Sequence, residues 1–180
     1  MTTIYLVRHG ETDLNKEGII QSLKNTHLNM KGVNKVKQLR TTILDLGVDV
    51  CYTSPFFRTL ETAFGLVADK VLIINDDRLK DRDMGIFEGT KSSDFNHEKY
   101  WDYELNSSDD GVESIKDLFK RGEDFLNDIL SKNKDKKILI VSHTGMIRVL
   151  HHILKNTDLK NSTLRFEVPN CYFEKIDIKK

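Results

Sequence analysis

Short runs rich in apolar residues alternate along this chain with longer segments of helical periodicity. Runs of four or five such residues, bounded by turn formers, are typical of strands buried on both faces of a parallel sheet. They cover residues 4–7, 48–52, 71–74 and 138–141. Two more strands are predicted near the end of the sequence, over residues 163–168 and 172–178, around a turn at Pro169-Asn170.

Between these runs, apolar residues recur every three or four positions, which predicts four helices. The first begins after Asn29 and ends at Gly47, because asparagine caps the free N–H groups of a helix start and glycine tolerates the conformation that ends one. The others cover residues 58–68, residues 113–131 and a segment after Gly145. This alternation predicts an α/β fold, a three-layer α/β/α sandwich around a mostly parallel sheet.

The length of 180 residues fits one domain, so residues 1–180 are predicted to fold as a single unit. Residues 90–110 depart from the alternation, with aromatic residues among polar and acidic ones at Phe95, Tyr100, Trp101 and Tyr103. Such a segment forms either a lid or pocket wall, or a satellite hydrophobic cluster under a loop. As a wall it would offer Tyr100, Trp101 or Tyr103 for stacking on a ligand ring, and its acids would disfavour multiply anionic ligands.

Composition narrows the class of protein. The 28 basic and 28 acidic side chains balance, which argues against a protein that binds nucleic acid. No apolar run approaches the roughly 18 residues of a membrane span, and the apolar surroundings of Cys51 and Cys171 predict buried, reduced thiols. We therefore expect a cytoplasmic protein without a membrane partner. The sequence shows no metal-ligand spacing, and the adjacent His151 and His152 are predicted to lie at the surface.

Polar and charged residues follow the predicted strands where a parallel sheet binds ligands, at the carboxyl ends. Arg8 and His9 follow the first strand, and Arg58 lies one turn into the helix after the second. Asp81 follows the third strand and His143 the fourth. The topology is therefore expected to bring two histidines, two arginines and a carboxylate to one edge of the sheet.

This set of side chains suits phosphoryl transfer. Arginine matches phosphoryl oxygens bidentately, and a neutral imidazole can attack phosphorus to give a covalent intermediate. A second histidine adds positive charge when it is protonated. A carboxylic acid can protonate the leaving oxygen and later deprotonate water. No Gly-Lys-[Ser/Thr] phosphate loop is present, so nothing indicates a nucleotide triphosphatase.

Five motifs, in order from residue 4 to about residue 150, resemble the histidine phosphatase superfamily, in its branch of cofactor-dependent phosphoglycerate mutase-like proteins. They are Arg8-His9-Gly10-Glu11-Thr12 with Asn15, Ser54-Pro55 with Arg58-Thr59, Leu79-x-Asp81 with Gly85 and Glu88-Gly89, Gly111-x-Glu113-Ser114 with Arg121, and Val141-Ser142-His143 with Gly145 and Arg148. The resemblance implies a single α/β sandwich with a mixed sheet, which agrees with the pattern of elements.

The resemblance also implies roles for individual residues. His9 would be the nucleophile that becomes phosphorylated, and Asp81 would stand at the acid/base position. Arg8, Arg58 and His143 would bind the phosphoryl group, with Asn15 as a helper. Thr144, next to the second histidine, would place a hydroxyl near the phosphate. No metal or cofactor is implied.

Three positions depart from the family pattern. Asp81 replaces the usual glutamate, and the missing methylene sets its carboxyl about 1 Å back, a displacement that can lower rate. Thr144 replaces a common glycine, and its β-branch disfavours positive φ. Ser22 stands where glycine is frequent, in a loop near the site.

The leading interpretation is a metal-independent phosphomonoesterase of the histidine acid phosphatase type, acting through a phosphohistidine on a small phosphorylated metabolite. A phosphoglycerate-type mutase is the first alternative, and the short chain is expected to lack room for segments that shield its intermediate from water. A phosphate-binding module with weak turnover is the second, suggested by Asp81 and Thr144. The sequence makes no prediction of oligomeric state.

Overall fold

The computed structural model describes residues 1–160 and 164–178, and its centre is a five-stranded sheet. The strands are β1 (Thr2–Arg8), β2 (Val50–Thr53), β3 (Leu72–Asn75), β4 (Lys137–Ser142) and β5 (Phe173–Ile178), in the order β3-β2-β4-β1-β5. The first four strands run parallel, and β5 pairs antiparallel with β1. The carboxyl ends of β1, β2, β3 and β4 therefore lie at one edge of a mostly parallel, mixed sheet.

The four predicted helices are confirmed, with ends shifted by one or two residues. The helices are α1 (Asp13–Lys16), α2 (Met30–Asp45), α3 (Phe57–Val67), α4 (His97–Tyr100), α5 (Ile115–Lys132) and α6 (Thr144–Lys155). Asn29 caps α2 as expected, because its Oδ1 accepts from the N–H of Gly32 at 2.8 Å. Gly32 has a second role, since a Cβ there would lie 2.2 Å from the Glu11 carbonyl oxygen. The glycine thus lets α2 approach the loop that follows β1.

Helices cover both faces of the sheet, which confirms the three-layer sandwich. Along β1, Ile4 and Leu6 belong to a buried cluster with apolar side chains of α5 and α6. Tyr5 and Val7 point to the opposite face and pack with side chains of α2 and α3. Successive side chains of a strand alternate between faces, so a run of apolar residues is what a strand between two helical layers requires.

The strand predicted over residues 163–168 is wrong. Leu164 to Val168 form no strand, and Thr163 lies outside the described residues. Three carbonyl oxygens of this segment instead contact side chains: His152 Nε2 lies 3.3 Å from Leu164 O, Arg148 donates to Phe166 O, and Arg8 donates to Val168 O. The backbone is therefore satisfied by long polar side chains and not by a neighbouring strand.

The structure confirms the predicted burial of the two cysteines and contradicts the predicted exposure of one histidine. Cys51 and Cys171 are buried, free thiols, as predicted. His152 is buried, contrary to its predicted surface position, because its ring contacts Thr157 and the segment after α6. None of the helices within the described residues is long and apolar enough to cross a membrane. The described residues also contain no group of three or more His, Cys, Asp or Glu side chains placed to hold a metal ion.

Candidate active site

A cavity of about 290 Å³ opens at the carboxyl edge of the sheet. Five of the predicted site residues line it: Arg8, His9, Asn15, Asp81 and Thr144. The other two, Arg58 and His143, are fully buried, and both lie within 4 Å of the Asp81 carboxylate. The structure therefore brings all seven residues into one cluster.

His9 is held as a neutral imidazole with one free nitrogen. Its Nδ1 lies 2.7 Å from the carbonyl oxygen of Gly10, and since a carbonyl only accepts, Nδ1 carries the proton. Its Nε2 makes no hydrogen bond with the described residues and keeps a lone pair. Burial, followed by the charges of Arg8 and Arg58, holds the pKa of His9 well below its usual range. A neutral imidazole nitrogen with a free lone pair is chemically able to act as a nucleophile.

His143 is also neutral, in the other tautomer. Arg58 donates from Nε to His143 Nδ1 at 3.2 Å, so the proton of the ring is on Nε2, which contacts Ser54 Oγ at 2.8 Å. Burial and the nearby Arg58 keep the pKa of His143 well below its usual range. The positive charge of the site therefore comes from its arginines, and the ring nitrogens of His143 serve as hydrogen-bonding groups.

The two arginines are fixed by backbone carbonyls. Arg58 donates from Nη1 to Lys24 O at 2.6 Å and from Nη2 to Ser22 O at 2.9 Å. Arg8 donates from Nη1 to Val168 O at 2.6 Å, and its buried Nε has no partner among the described residues. Burial lowers the pKa of Arg8 to about 10, so the guanidinium remains charged at neutral pH. Two fixed cations near His9 form a preorganised place for an anion.

Asn15 and Thr144 line the cavity from two different helices. Asn15 Oδ1 accepts from Thr12 N and Thr12 Oγ1, each at 3.2 Å, and from Asn170 Nδ2 at 3.0 Å. Because its oxygen is engaged, the amide NH₂ is the group left for a ligand. Thr144 is the first residue of α6 and does not take the positive φ that its β-branch would oppose. It therefore fits this position without backbone strain.

Asp81 is held close to the buried pair. Its Oδ2 lies 3.7 Å from Arg58 Nη2 and 3.8 Å from His143 Nδ1, while its Oδ1 accepts from the N–H of Arg82 at 2.9 Å. Burial raises the pKa of Asp81, against the opposing effect of Arg58. The carboxyl therefore keeps its proton to higher pH than an exposed aspartate, which suits a proton donor to a leaving group.

A buried, neutral histidine near two arginines and a carboxyl group agrees with the comparison with known families. The family model of the histidine phosphatase superfamily (branch 1) matches residues 4–180. The chain belongs to this superfamily. Its sequence is 30% identical over 167 residues to phosphoserine phosphatase 1 of Hydrogenobacter thermophilus, covering 88% of this chain and 79% of the relative. It is 34% identical over 151 residues to the probable phosphoglycerate mutase GpmB of Escherichia fergusonii, covering 79% and 70%.

Solved structures of histidine phosphatase type share the fold. YhfR of Bacillus stearothermophilus superposes with a TM-score of 0.86 at 26% identity, covering 99% of this chain and 92% of that one. A phosphoserine phosphatase of Entamoeba histolytica, solved in complex with 3-phosphoglyceric acid, superposes with a TM-score of 0.80 at 28% identity, covering 97% and 90%. The sequence-based assignment of family and fold class is confirmed.

Sequence reasoning missed a residue that organises this histidine phosphatase site from the far end of the chain. Asn170 donates from Nδ2 to His9 O and Gly10 O, each at 3.2 Å, as well as to Asn15 Oδ1. The next residue, Cys171, donates its backbone N–H to Arg8 O at 3.1 Å. The only sequence signal was the Pro169-Asn170 turn, which does not reveal a partner about 160 positions away.

Residues 90–110 form both a pocket wall and a hydrophobic cluster. Ser92, His97 and Trp101 line the cavity, while Phe95 and Tyr100 are buried in a small cluster of their own. Burial removes Tyr100 from the aromatic residues offered for stacking on a ligand. The acids of the segment do not line the cavity either, so the argument against multiply anionic ligands does not hold. Closure of the segment as a lid stays a prediction.

Proposed function

We propose that this member of the histidine phosphatase superfamily is a phosphomonoesterase that needs no metal ion and forms a phosphohistidine at His9. The observation that carries the proposal is the tautomer of His9, whose Nδ1–H is fixed on Gly10 O while Nε2 is left at a cavity lined by Arg8 and Asp81. Arg8 and Arg58 supply the positive charge that a metal ion would otherwise provide for the phosphoryl oxygens.

The reaction proceeds in two displacements. His9 Nε2 attacks phosphorus, the bond from phosphorus to the alkoxy oxygen breaks, and the Asp81 carboxylic acid gives its proton to the departing oxygen. The Asp81 carboxylate then takes a proton from water, whose oxygen attacks the phosphohistidine. The bond between nitrogen and phosphorus breaks, and inorganic phosphate leaves. Arg8, Arg58 and the Asn15 amide hold the transferred group in both steps.

This scheme favours acidic pH, in line with the histidine acid phosphatase type. The pKa of His9 is lowered, so the nucleophile stays unprotonated in mild acid. The pKa of Asp81 is raised, so the acid that protonates the leaving group persists to higher pH than usual. We expect kcat to fall as pH rises through the pKa of Asp81.

The test is release of inorganic phosphate from p-nitrophenyl phosphate in excess EDTA. Wild-type protein is expected to turn over, and His9→Ala is expected to lose activity. His27→Ala serves as the matched control, since it removes an exposed histidine. Absence of turnover over a panel of phosphomonoesters and pH values would refute the phosphatase proposal and favour a binding module. Transfer of phosphate between positions of one substrate, dependent on a priming bisphosphate, would show a mutase instead.

A further inference from the structure

The position of Gly10 decides which nitrogen of the His9 ring is free. The Gly10 carbonyl oxygen lies 2.7 Å from His9 Nδ1, and this contact keeps the ring proton away from Nε2. In the other tautomer Nε2 would carry the proton and would have no lone pair to attack phosphorus. The group that holds Gly10 in place therefore influences the proposed nucleophile.

The backbone N–H of Gly10 is held by a hydroxyl group from a helix. It donates to Thr62 Oγ1 at 3.0 Å, and no other group among the described residues accepts from it. Thr62 lies on α3 and is fully buried. A buried N–H group needs an acceptor, and the β-branched threonine side chain has few rotamers, so the contact is both required and rigid. The loop after β1 is thereby attached to α3.

The hydroxyl of Thr62 serves two elements at once. Its proton goes to the carbonyl oxygen of Arg58, four residues earlier on the same helix, at 2.7 Å. That bond is common for a threonine within a helix and has no meaning beyond the helix itself. Because the proton is engaged there, the oxygen acts toward Gly10 as an acceptor, which is what an N–H group requires. Thr62 thus joins the helix that carries Arg58 to the loop that carries His9.

We propose that Thr62 is a positioning residue, which holds Gly10 so that the proton of His9 stays on Nδ1 and Nε2 stays free. Thr62 does not line the cavity and acts only through Gly10. This inference rests on the proposed function, because a free Nε2 matters only if His9 attacks phosphorus. A catalytic histidine in the wrong tautomer or orientation loses much of its effect on the rate.

Thr62→Val tests the hydroxyl, since valine has nearly the same shape and cannot accept from Gly10. We expect kcat for p-nitrophenyl phosphate to fall about ten- to a hundredfold, because a displacement of about 1 Å at a reacting group can cost up to about a hundredfold. Competitive inhibition by inorganic phosphate should be unchanged, because Arg8, Arg58 and Asn15 still bind the anion. Thr62→Ser keeps the hydroxyl and is expected to retain most of the wild-type kcat.

Nitrogen-15 NMR of the His9 ring provides a readout that a merely structural role of Thr62 would not change. The shift of each ring nitrogen shows whether it carries the proton, and the spectrum of His9→Ala identifies the signals. At neutral pH we expect the proton on Nδ1 in wild type and in Thr62→Ser, and at least partly on Nε2 in Thr62→Val. If the Val variant does not fold, Thr62→Ala, which also lacks a fixed acceptor, replaces it.

Thr3→Val is the matched control. It also removes a buried threonine hydroxyl, which donates to Asp177 Oδ1 at 2.7 Å near the amino end of β1, at the opposite end of the strand from Arg8. This variant is expected to lose stability but to keep the wild-type kcat and the wild-type shifts of His9. The comparison separates loss of a buried hydrogen bond in general from loss of the contact with Gly10.

The two proposals fail in different ways. A wild-type kcat in Thr62→Val, or a lower kcat with the His9 proton still on Nδ1, would overturn the role of Thr62 and leave the phosphatase intact. Absence of turnover in wild-type protein would refute the phosphatase, and the NMR comparison would then judge Thr62 alone. In that case, an unchanged His9 tautomer in Thr62→Val would overturn the inference, and a proton moved to Nε2 would support it.

Discussion

Ser22 links two parts of the candidate active site, one through its hydroxyl and the other through its backbone carbonyl. Ser22 is 2% exposed, and its Oγ accepts from the N–H of Met84 at 2.9 Å and donates to Arg82 O at 3.3 Å. Its own carbonyl oxygen accepts from Arg58 Nη2. Ser22 thus connects the loop that carries Asp81 to Arg58. We predict that this bridge positions the Asp81 carboxyl.

Two contributions set the free energies of unfolding of the Ser22 variants: a lost hydrogen bond and the cost of a positive φ. Ser22→Ala leaves the buried Met84 N–H without its acceptor, which costs about 1–3 kcal/mol of unfolding free energy. Ser22 also has a φ of +49°, in the left-handed region that costs an L-residue about 1–2 kcal/mol. Alanine keeps that cost and glycine removes it. Ser22→Gly should therefore be about 1 kcal/mol more stable than Ser22→Ala, although both lack the hydroxyl.

Measurements of kcat distinguish an effect of Ser22 on the position of Asp81 from an effect on the stability of the fold. Both variants free the Asp81 loop, and a shift of about 1 Å at a catalytic group can cost up to about a hundredfold in rate. We expect kcat for p-nitrophenyl phosphate to fall at least tenfold in both variants, including the more stable Ser22→Gly. Urea unfolding gives the free energies and steady-state kinetics gives kcat, with the exposed Ser131→Ala as control. A wild-type kcat in both variants would refute the prediction that Ser22 positions Asp81. Equal free energies of unfolding for the two variants would refute the predicted backbone strain at residue 22.

Two further predictions concern the buried histidines and Asn170. Because burial lowers the pKa of His9 and His143, the unfolded chain binds more protons than the native state below pH 6.5. The free energy of unfolding should therefore fall as pH falls below 6.5, by up to about 1.4 kcal/mol per unit for each histidine. Urea unfolding at pH 7.5 and 5.5 measures this, and a slope unchanged in His143→Asn would contradict it. Asn170→Ala frees the Asn15 side chain, so KM should rise several-fold in steady-state assays. An unchanged KM would show that Asn170 has no such role.

Most of the elements, and the place of the proposed catalytic groups, could be predicted because their signals are local. Burial between two helical layers requires a strand of continuous apolar residues, and an amphipathic helix requires apolar residues every three or four positions. Parallel strands direct their carboxyl ends to one edge, so Arg8, His9, Asp81 and His143 were placed together by topology alone. Their motif spacing also indicated the family.

Features that depend on partners distant in sequence could not be predicted. Residues 164–168 have the apolar content of a strand, yet long side chains of other elements satisfy their carbonyls. The protonation of His9 and His143 depends on burial and on which atom each ring meets, and neither is visible in a residue name. The contacts of Ser22 and Asn170 could not be predicted either, because each meets residues 60 to 161 positions away.

The sequence by itself thus determined the layers of this histidine phosphatase fold and the edge at which the proposed nucleophile and acid lie, since periodicity and strand order are properties of the chain read in order. Only the tertiary structure decided which nitrogen of His9 is free and what holds the Asp81 loop. The physical reason is that desolvation and hydrogen bonding arise between groups that meet only after folding.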